Sequence, residues 1–293
     1  MRTLIALTAA LAAGLAASGG ARAAEAGISI VAAENFYGDV ARQIGGEQVS
    51  VASVLNNPEQ DPHLFETTPS VVRVVAAAQI VIYNGADYDP WMQRLLAASP
   101  REKRLAVVAA DLVGKSAADN PHIWYDPPTI PAVVKAIAAA LTTLDPGHHA
   151  DYAARLKVFL ASLEPLQEKI RALAAKYAGT PVIATEPVFG YMAGALHLQM
   201  HGERFQLAIM NDTEPSARDT AAFERDLVEH KVRVMFYNKQ ASVALVHHLV
   251  ELARASGIPV VGVTETAPPG QSYQQWIANE LDETAKALAG PSS

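Results

Sequence analysis

Two histidines and two glutamates in this chain stand where side chains could do chemistry together. His63 closes the run Asn56-Asn57-Pro58-Glu59-Gln60-Asp61-Pro62-His63, and His122 also follows a proline, in Asn120-Pro121-His122-Ile123-Trp124-Tyr125-Asp126-Pro127. A proline just before the residue restrains the chain, so each imidazole is aimed at lower entropic cost. In the second half, Glu186 lies in Thr185-Glu186-Pro187 and Glu265 in Thr264-Glu265-Thr266. A single histidine is most often a packing or surface residue, and a single glutamate a helix cap or a solvated carboxylate. Two imidazoles facing two carboxylates are instead a donor set for one divalent metal ion. His201 is a reserve ligand; His148, His149, His197, His230, His247 and His248 carry weaker signals.

All four addresses follow from the elements that must position these residues. Ile28–Ala32, Val49–Leu55, Gln79–Tyr83 and Arg104–Val108 read as strands, and Phe36–Ile44, Val71–Ala77, Pro90–Ala98 and Ile130–Leu144 as helices. The second half repeats the rhythm, with strands expected at Pro181–Ala184, Gln206–Ile209, Val232–Phe236 and Pro259–Val263. Helices are expected there at Val188–Leu196, Ala217–His230, Ala244–Ser256 and Tyr273–Leu288. Strands alternating with helices give α/β layers on parallel sheets, here in two lobes. Sites in such sheets lie beyond the carboxyl ends of strands. The four candidates follow strands, with Thr68-Pro69 and Asp126 expected to cap the helices after the two histidine loops.

Between the blocks runs one long helical pattern. Asp145 suits an N-cap, Pro146 the first turn and Gly179 the stop, with Leu156, Phe159, Leu160, Leu163, Leu166 and Ile170 along one side. About 30 residues would span roughly 45 Å, a strut long enough to cross both lobes. The alternative is two shorter helices broken near Glu164-Pro165, because a proline inside a helix costs about 3 kcal/mol. The expected organisation is a leader at 1–23, a first lobe at 24–144, a linking helix at 145–178 and a second lobe at 179–293.

The leader rests on Arg2, the uncharged apolar stretch from Leu4 to Ala17, and the small-x-small site Ala21-Arg22-Ala23. That is the pattern of a cleaved secretory signal peptide, and its shape points to a bacterial periplasm. Cysteine is absent, which removes disulfides, thiolate metal sites, cysteine nucleophiles and lipid attachment through an N-terminal cysteine. The net charge of −7 argues against a nucleic-acid partner, since phosphate binding needs clustered Lys and Arg. Nucleophile-elbow, zinc-protease, phosphate-loop and dinucleotide fingerprints are missing, so no enzyme class is indicated.

These segments resemble the zinc/manganese solute-binding proteins of bacterial ABC importers, the cluster A-I metal-binding receptors, over nearly the whole chain after the leader. The resemblance is carried by Val31-Ala32-Ala33-Glu34-Asn35-Phe36-Tyr37, by Asp61-Pro62-His63-Leu64-Phe65-Glu66 and by Asn120-Pro121-His122-Ile123-Trp124-Tyr125-Asp126-Pro127. It implies two α/β lobes joined by one long helix, one Mn2+ or Zn2+ carried between them as cargo, and a monomer that docks on an ABC-type membrane permease. It also implies His63, His122, Glu186 and Glu265 as the ligands. Many zinc-type members have His where Glu186 stands, and the fourth ligand is usually Asp where the nearest counterpart here is Glu265. Tyr237-Asn238-Lys239-Gln240 departs from the acidic pattern the family shows at that point. Two carboxylates and the lack of a His-rich loop lean toward manganese, although zinc binds most nitrogen and oxygen sites more tightly. The competing expectations are a metal-dependent hydrolase with Glu265 as general base, and a metal chaperone or adhesin on the same fold.

Overall fold

Eight short, largely apolar strands alternate with twelve helices in the computed structural model of the chain, which describes residues 27–58, 62, 65–241 and 243–290. The leader 1–23 and His63 lie outside the described residues. The first block comprises β1 (Ile28–Glu34), α1 (Asn35–Gly45), β2 (Val49–Leu55), α2 (Pro69–Ala77), β3 (Ile80–Tyr83) and α3 (Pro90–Ala98). It ends with β4 (Leu105–Val108), α4 (Ala109–Leu112) and α5 (Thr129–Leu144). Next come α6 (His149–Ser162) and α7 (Glu164–Tyr177), then β5 (Pro181–Ala184), α8 (Gly190–Ala195), β6 (Gln199–His201), α9 (Glu203–Met210) and α10 (Ala217–Val228). The chain finishes with β7 (Val234–Asn238), α11 (Ala244–Ala255), β8 (Val260–Val263) and α12 (Tyr273–Ala289).

The blocks form two four-stranded sheets with the same plan, β2-β1-β3-β4 and β6-β5-β7-β8, with every pairing parallel. Ile80, Val81 and Ile82 in β3, like Val234, Met235 and Phe236 in β7, are buried, as expected of strands covered by helices on both faces. One apolar core runs through both lobes. It contains Ile30 and Ile82 of the first sheet, Val133 and Leu141 of α5, Phe159 and Leu166 of the connecting helices, and Val182 and Phe236 of the second sheet. Each lobe adds a smaller outer core of its own. Among the described residues no helix is long and apolar enough to cross a membrane.

Three local expectations need correction. Gln206–Ile209 is the middle of α9, and the edge strand beside β5 is β6, just upstream. Gln, Leu and Ala suit a helix, and Gly202, at φ 75°, turns the chain sharply between strand and helix. Asp126 makes no side-chain cap: α5 starts at Thr129 with Pro128 as its N-cap residue. The connecting run is divided at Leu163 into α6 and α7. Pro165 lies in the first turn of α7, where its missing N–H is harmless, but it has no donor to continue α6. Arg155 of α6 donates to Gly45 O at 3.0 Å and to Gln48 Oε1 at 2.9 Å, and Lys169 of α7 pairs with Asp282 at 2.7 Å. The break therefore falls where the connector passes from one lobe to the other.

Candidate metal centre

His122 lies beyond β4 at the carboxyl edge of the first sheet and is fully buried. Asn120 orients it. The Asn120 amide nitrogen donates to Pro187 O across the cleft at 2.7 Å, so its Oδ1 faces His122. That oxygen accepts the His122 backbone N–H at 3.1 Å and contacts Nδ1 at 2.7 Å. An amide oxygen only accepts, so Nδ1 carries a hydrogen, and in the neutral ring Nε2 presents its lone pair. Tyr88 reaches the same place from the turn after β3. Gly85, Ala86 and Asp87 have φ values of 75°, 50° and 62°, a left-handed run that swings Tyr88 toward the second lobe. Asp89 pins the turn by accepting the N–H groups of Asn84 at 2.6 Å and Gly85 at 2.8 Å.

The second sheet presents its acids at the matching edge. Glu186 follows β5 directly and Glu265 lies just past β8, with 5% and 0% of their surface exposed. Glu265 Oε2 stands 3.2 Å from His122 Nε2 and accepts the Tyr88 hydroxyl at 2.9 Å. Asn238, the last residue of β7, lies between the two carboxylates. Its Nδ2 donates to Glu265 Oε1 at 2.7 Å and contacts both oxygens of Glu186 at 3.4 Å. Gln240 holds the Glu265 backbone, accepting its N–H through Oε1 at 2.6 Å. Among the described residues no three histidine, aspartate or glutamate side chains converge on one point able to hold an ion. His201, the reserve candidate, is elsewhere: its Nδ1 meets Asp226 Oδ2 at 2.9 Å on the outer edge of the second sheet.

Around the site the lobes are bonded to each other. Asn35 Nδ2 donates to Ala267 O at 2.7 Å while its Oδ1 accepts the Ala267 N–H at 2.9 Å. Asp39 accepts the N–H of Tyr273 at 2.9 Å, and the Tyr273 hydroxyl donates to Trp124 O at 2.9 Å. Phe36, Trp124 and Tyr125 of the first lobe pack their rings against Trp276 or against one another. The cleft floor is thus aromatic and closed to solvent, and the polar groups above it work at low dielectric.

The profile of the family described as ZnuA, zinc-uptake complex component A, periplasmic, matches residues 30–287. This chain belongs to that family. Relatives of the ZnuA-family chain include the manganese-binding lipoprotein MntA of Bacillus subtilis strain 168, 22% identical over 284 residues, covering 91% of this chain and 92% of MntA. The iron ABC transporter substrate-binding lipoprotein MtsA of Streptococcus pyogenes serotype M1 is 21% identical over 283 residues, covering 89% of each chain. Among solved structures, the periplasmic zinc binding protein TroA from Treponema pallidum superposes with a TM-score of 0.74 at 20% identity, covering 91% of this chain and all of TroA. Their names span manganese, iron and zinc, so the shared fold does not choose the ion.

Some of this ZnuA-family centre was not foreseen from the sequence. Asn238 and Gln240 stand out in the sequence only as a departure from the acidic pattern, and Tyr88 is not among its candidates. Glu34 and Asp89 form a further buried pair below the first-lobe edge. The Glu34 oxygens have the Asp89 carboxyl as their side-chain neighbour, with the backbone of Glu34 itself opposing its effect only weakly. Burial, and next the negative Asp89, push the Glu34 carboxyl well above the usual range. The pair therefore shares a proton. Glu280 of α12 is another raised carboxyl: burial lifts it to about 7, against donors from Tyr125 Oη at 2.6 Å, Trp276 Nε1 at 2.9 Å and Thr264 N at 3.2 Å.

Proposed function

We propose that this chain captures one divalent transition-metal ion, Mn2+ or Zn2+, between its lobes and delivers it to an ABC-type membrane permease. The contact between His122 Nε2 and Glu265 Oε2 carries the reading. These atoms come from different lobes and stand 3.2 Å apart. Because Nδ1 bears the hydrogen given to Asn120, Nε2 is a lone-pair donor facing an anionic oxygen. Two such atoms repel unless a cation, a proton or a metal ion, lies between them. Two ligand atoms at about 2.1 Å from one ion, subtending roughly 90–110°, are about 3.0–3.4 Å apart, so the spacing suits a shared metal.

His63 and Glu186 complete the proposed set. Glu186 would bind from beside Asn238, and His63, which follows β2 in the sequence, would supply the second imidazole. The two carboxylates offset the charge of a divalent cation and ease its burial. Bonds at Asn35, Asp39, Asn120 and Tyr273, with the continuous core, restrict the lobes to a small movement. Release is then a local rearrangement of ligands and loops rather than a wide opening. The lobes correspond to 24–144 and 179–293, with 145–178 between them. The chain acts as a monomeric periplasmic receptor rather than a catalyst, freed by removal of residues 1–23. Lacking cysteine, it differs from relatives named as lipoproteins in having no residue for a thioether-linked lipid.

The test is titration of the metal-stripped protein with Mn2+ and Zn2+, followed by elemental analysis of protein purified from its own periplasm. One ion per chain is expected. No saturable binding of either ion, or binding unaffected by replacing both His122 and Glu265, would refute the reading.

A further inference from the structure

Asn238 is 2% exposed, and nothing about its amide orientation is arbitrary. Its Oδ1 accepts the N–H of Gln240 at 3.0 Å, which leaves Nδ2 directed at the carboxylates. Gln240 in turn accepts the N–H of Glu265 through Oε1 and donates to Thr266 Oγ1 at 3.2 Å through Nε2. The segment Asn238-Lys239-Gln240 thus holds Glu265 at its backbone and at one oxygen of its side chain.

The two Glu265 oxygens have different surroundings. Oε2 faces His122 Nε2 and the Tyr88 hydroxyl. Oε1 accepts Asn238 Nδ2 at 2.7 Å, and that nitrogen is also equidistant, at 3.4 Å, from both oxygens of Glu186. The positive end of a neutral amide therefore engages one lone pair of Oε1 and stands between the two carboxylates, on the path of an ion approaching Oε1 from the Glu186 side. A cation there would be driven against an N–H donor, and the hydrogen bond to a buried carboxylate would be lost.

We propose that Asn238 is a positioning residue that restricts Glu265 to binding metal through Oε2 alone, and so lowers the coordination number of the site. The proposal rests on the reading of Glu265 as a ligand. Zinc is satisfied by four donors, whereas manganese favours more oxygen ligands. One-oxygen binding by Glu265 therefore shifts the balance toward zinc, against the lean toward manganese that two carboxylates suggest.

The experiment has two arms. In the first, crystals of the parent chain loaded with Mn2+ and, separately, Zn2+ are solved. Glu265 Oε2 at bonding distance with Oε1 still on Asn238 is expected in both. Two bonded Glu265 oxygens in either would overturn the proposal, while Glu265 outside the coordination sphere would overturn the ligand assignment itself. In the second, Asn238→Ala and the bulkier Asn238→Leu are titrated with both ions in one buffer, after thermal melts confirm folding. Asn238→Ala should raise the manganese-to-zinc affinity ratio by about fivefold or more, as Oε1 becomes able to chelate. Asn238→Leu, which also lacks the donor, should raise it in the same direction. An unchanged or lowered ratio in both variants overturns the selectivity role. The parent crystal structures decide the geometry even where a variant fails to fold.

Discussion

Two pairs of buried carboxylates occupy the carboxyl edges of the two sheets and behave in opposite ways. In the first lobe Glu34 ends β1 and meets Asp89; in the second Glu186 follows β5 and shares Asn238 with Glu265. Strands β1 and β5 hold equivalent places in sheets of identical order. Glu34 has a second carboxyl as its neighbour, and the cheapest way to relieve two buried like charges is to keep a proton. Glu265 has an amide donor, a tyrosine hydroxyl and an imidazole around it. Donors of this kind favour the charged form of a carboxylate, the form that binds a cation. Burial is common to both pairs; the groups facing the oxygens separate a structural acid from the one proposed as a metal ligand.

The most direct way to break this contrast is to remove the imidazole. His122→Ala should weaken Mn2+ and Zn2+ binding by about a hundredfold, or roughly 2.7 kcal/mol. Competitive titration with a chromophoric chelator measures this, and parental affinity in the variant would remove His122 from the site.

Glu280 extends the comparison to a proton-holding acid in the second lobe. Its folded value of about 7 lies above the usual 4.5, so the unfolded chain ionises first as pH rises. The stabilisation is complete below about pH 4.5 and is lost as pH climbs toward 7 and beyond. Glu280→Gln abolishes that loss. Its carbonyl can accept from Trp276 and Thr264, and its NH2 can donate to the Tyr125 oxygen, whose hydroxyl hydrogen still reaches Thr264 O at 2.8 Å. The variant should gain on the order of 2 kcal/mol over the parent between pH 5 and pH 8. Parallel urea melts at the two pH values that show no difference in this increment would mean that Glu280 is already ionised at pH 5.

Exchanging a donor sharpens the second-lobe side. Glu186→His replaces an anionic oxygen with a neutral, softer nitrogen and should raise the zinc-to-manganese affinity ratio by about tenfold. Titration of parent and variant together, with a structure showing the new ring on the metal, is the check. A constant ratio despite ring coordination would deny Glu186 any part in selectivity.

The smallest effect on binding is expected in the first lobe. Glu34→Gln should change metal affinity by less than about twofold. It should nonetheless raise the melting temperature increasingly as pH is raised, because burial makes ionised Glu34 costly only in the folded chain. A large loss of metal affinity with no such trend would turn the comparison around and place Glu34 among the ligands.

The sequence by itself determined the alternation of strands and helices, the two-lobed α/β class, and the strand-end addresses of His122, Glu186 and Glu265. Such features rest on short-range physics: hydrophobic period, proline, glycine and caps act within a few residues. It also carried both possibilities for the connector, and Pro165 supplied the physical reason for the break that the fold shows at Leu163. Tertiary structure decided which groups face each carboxylate. Tyr88 and Glu265 are 177 positions apart, Tyr125 and Glu280 155, and Asn238 and Glu186 52. No local pattern distinguishes Asn238 as a bridge between acids from Asn238 as a strand end, or Glu34 beside a second carboxyl from Glu265 beside an amide and an imidazole. Those roles come from burial at low dielectric among particular donors and acceptors, and the chain acquires such neighbours only when the two sheets and their loops close on one another.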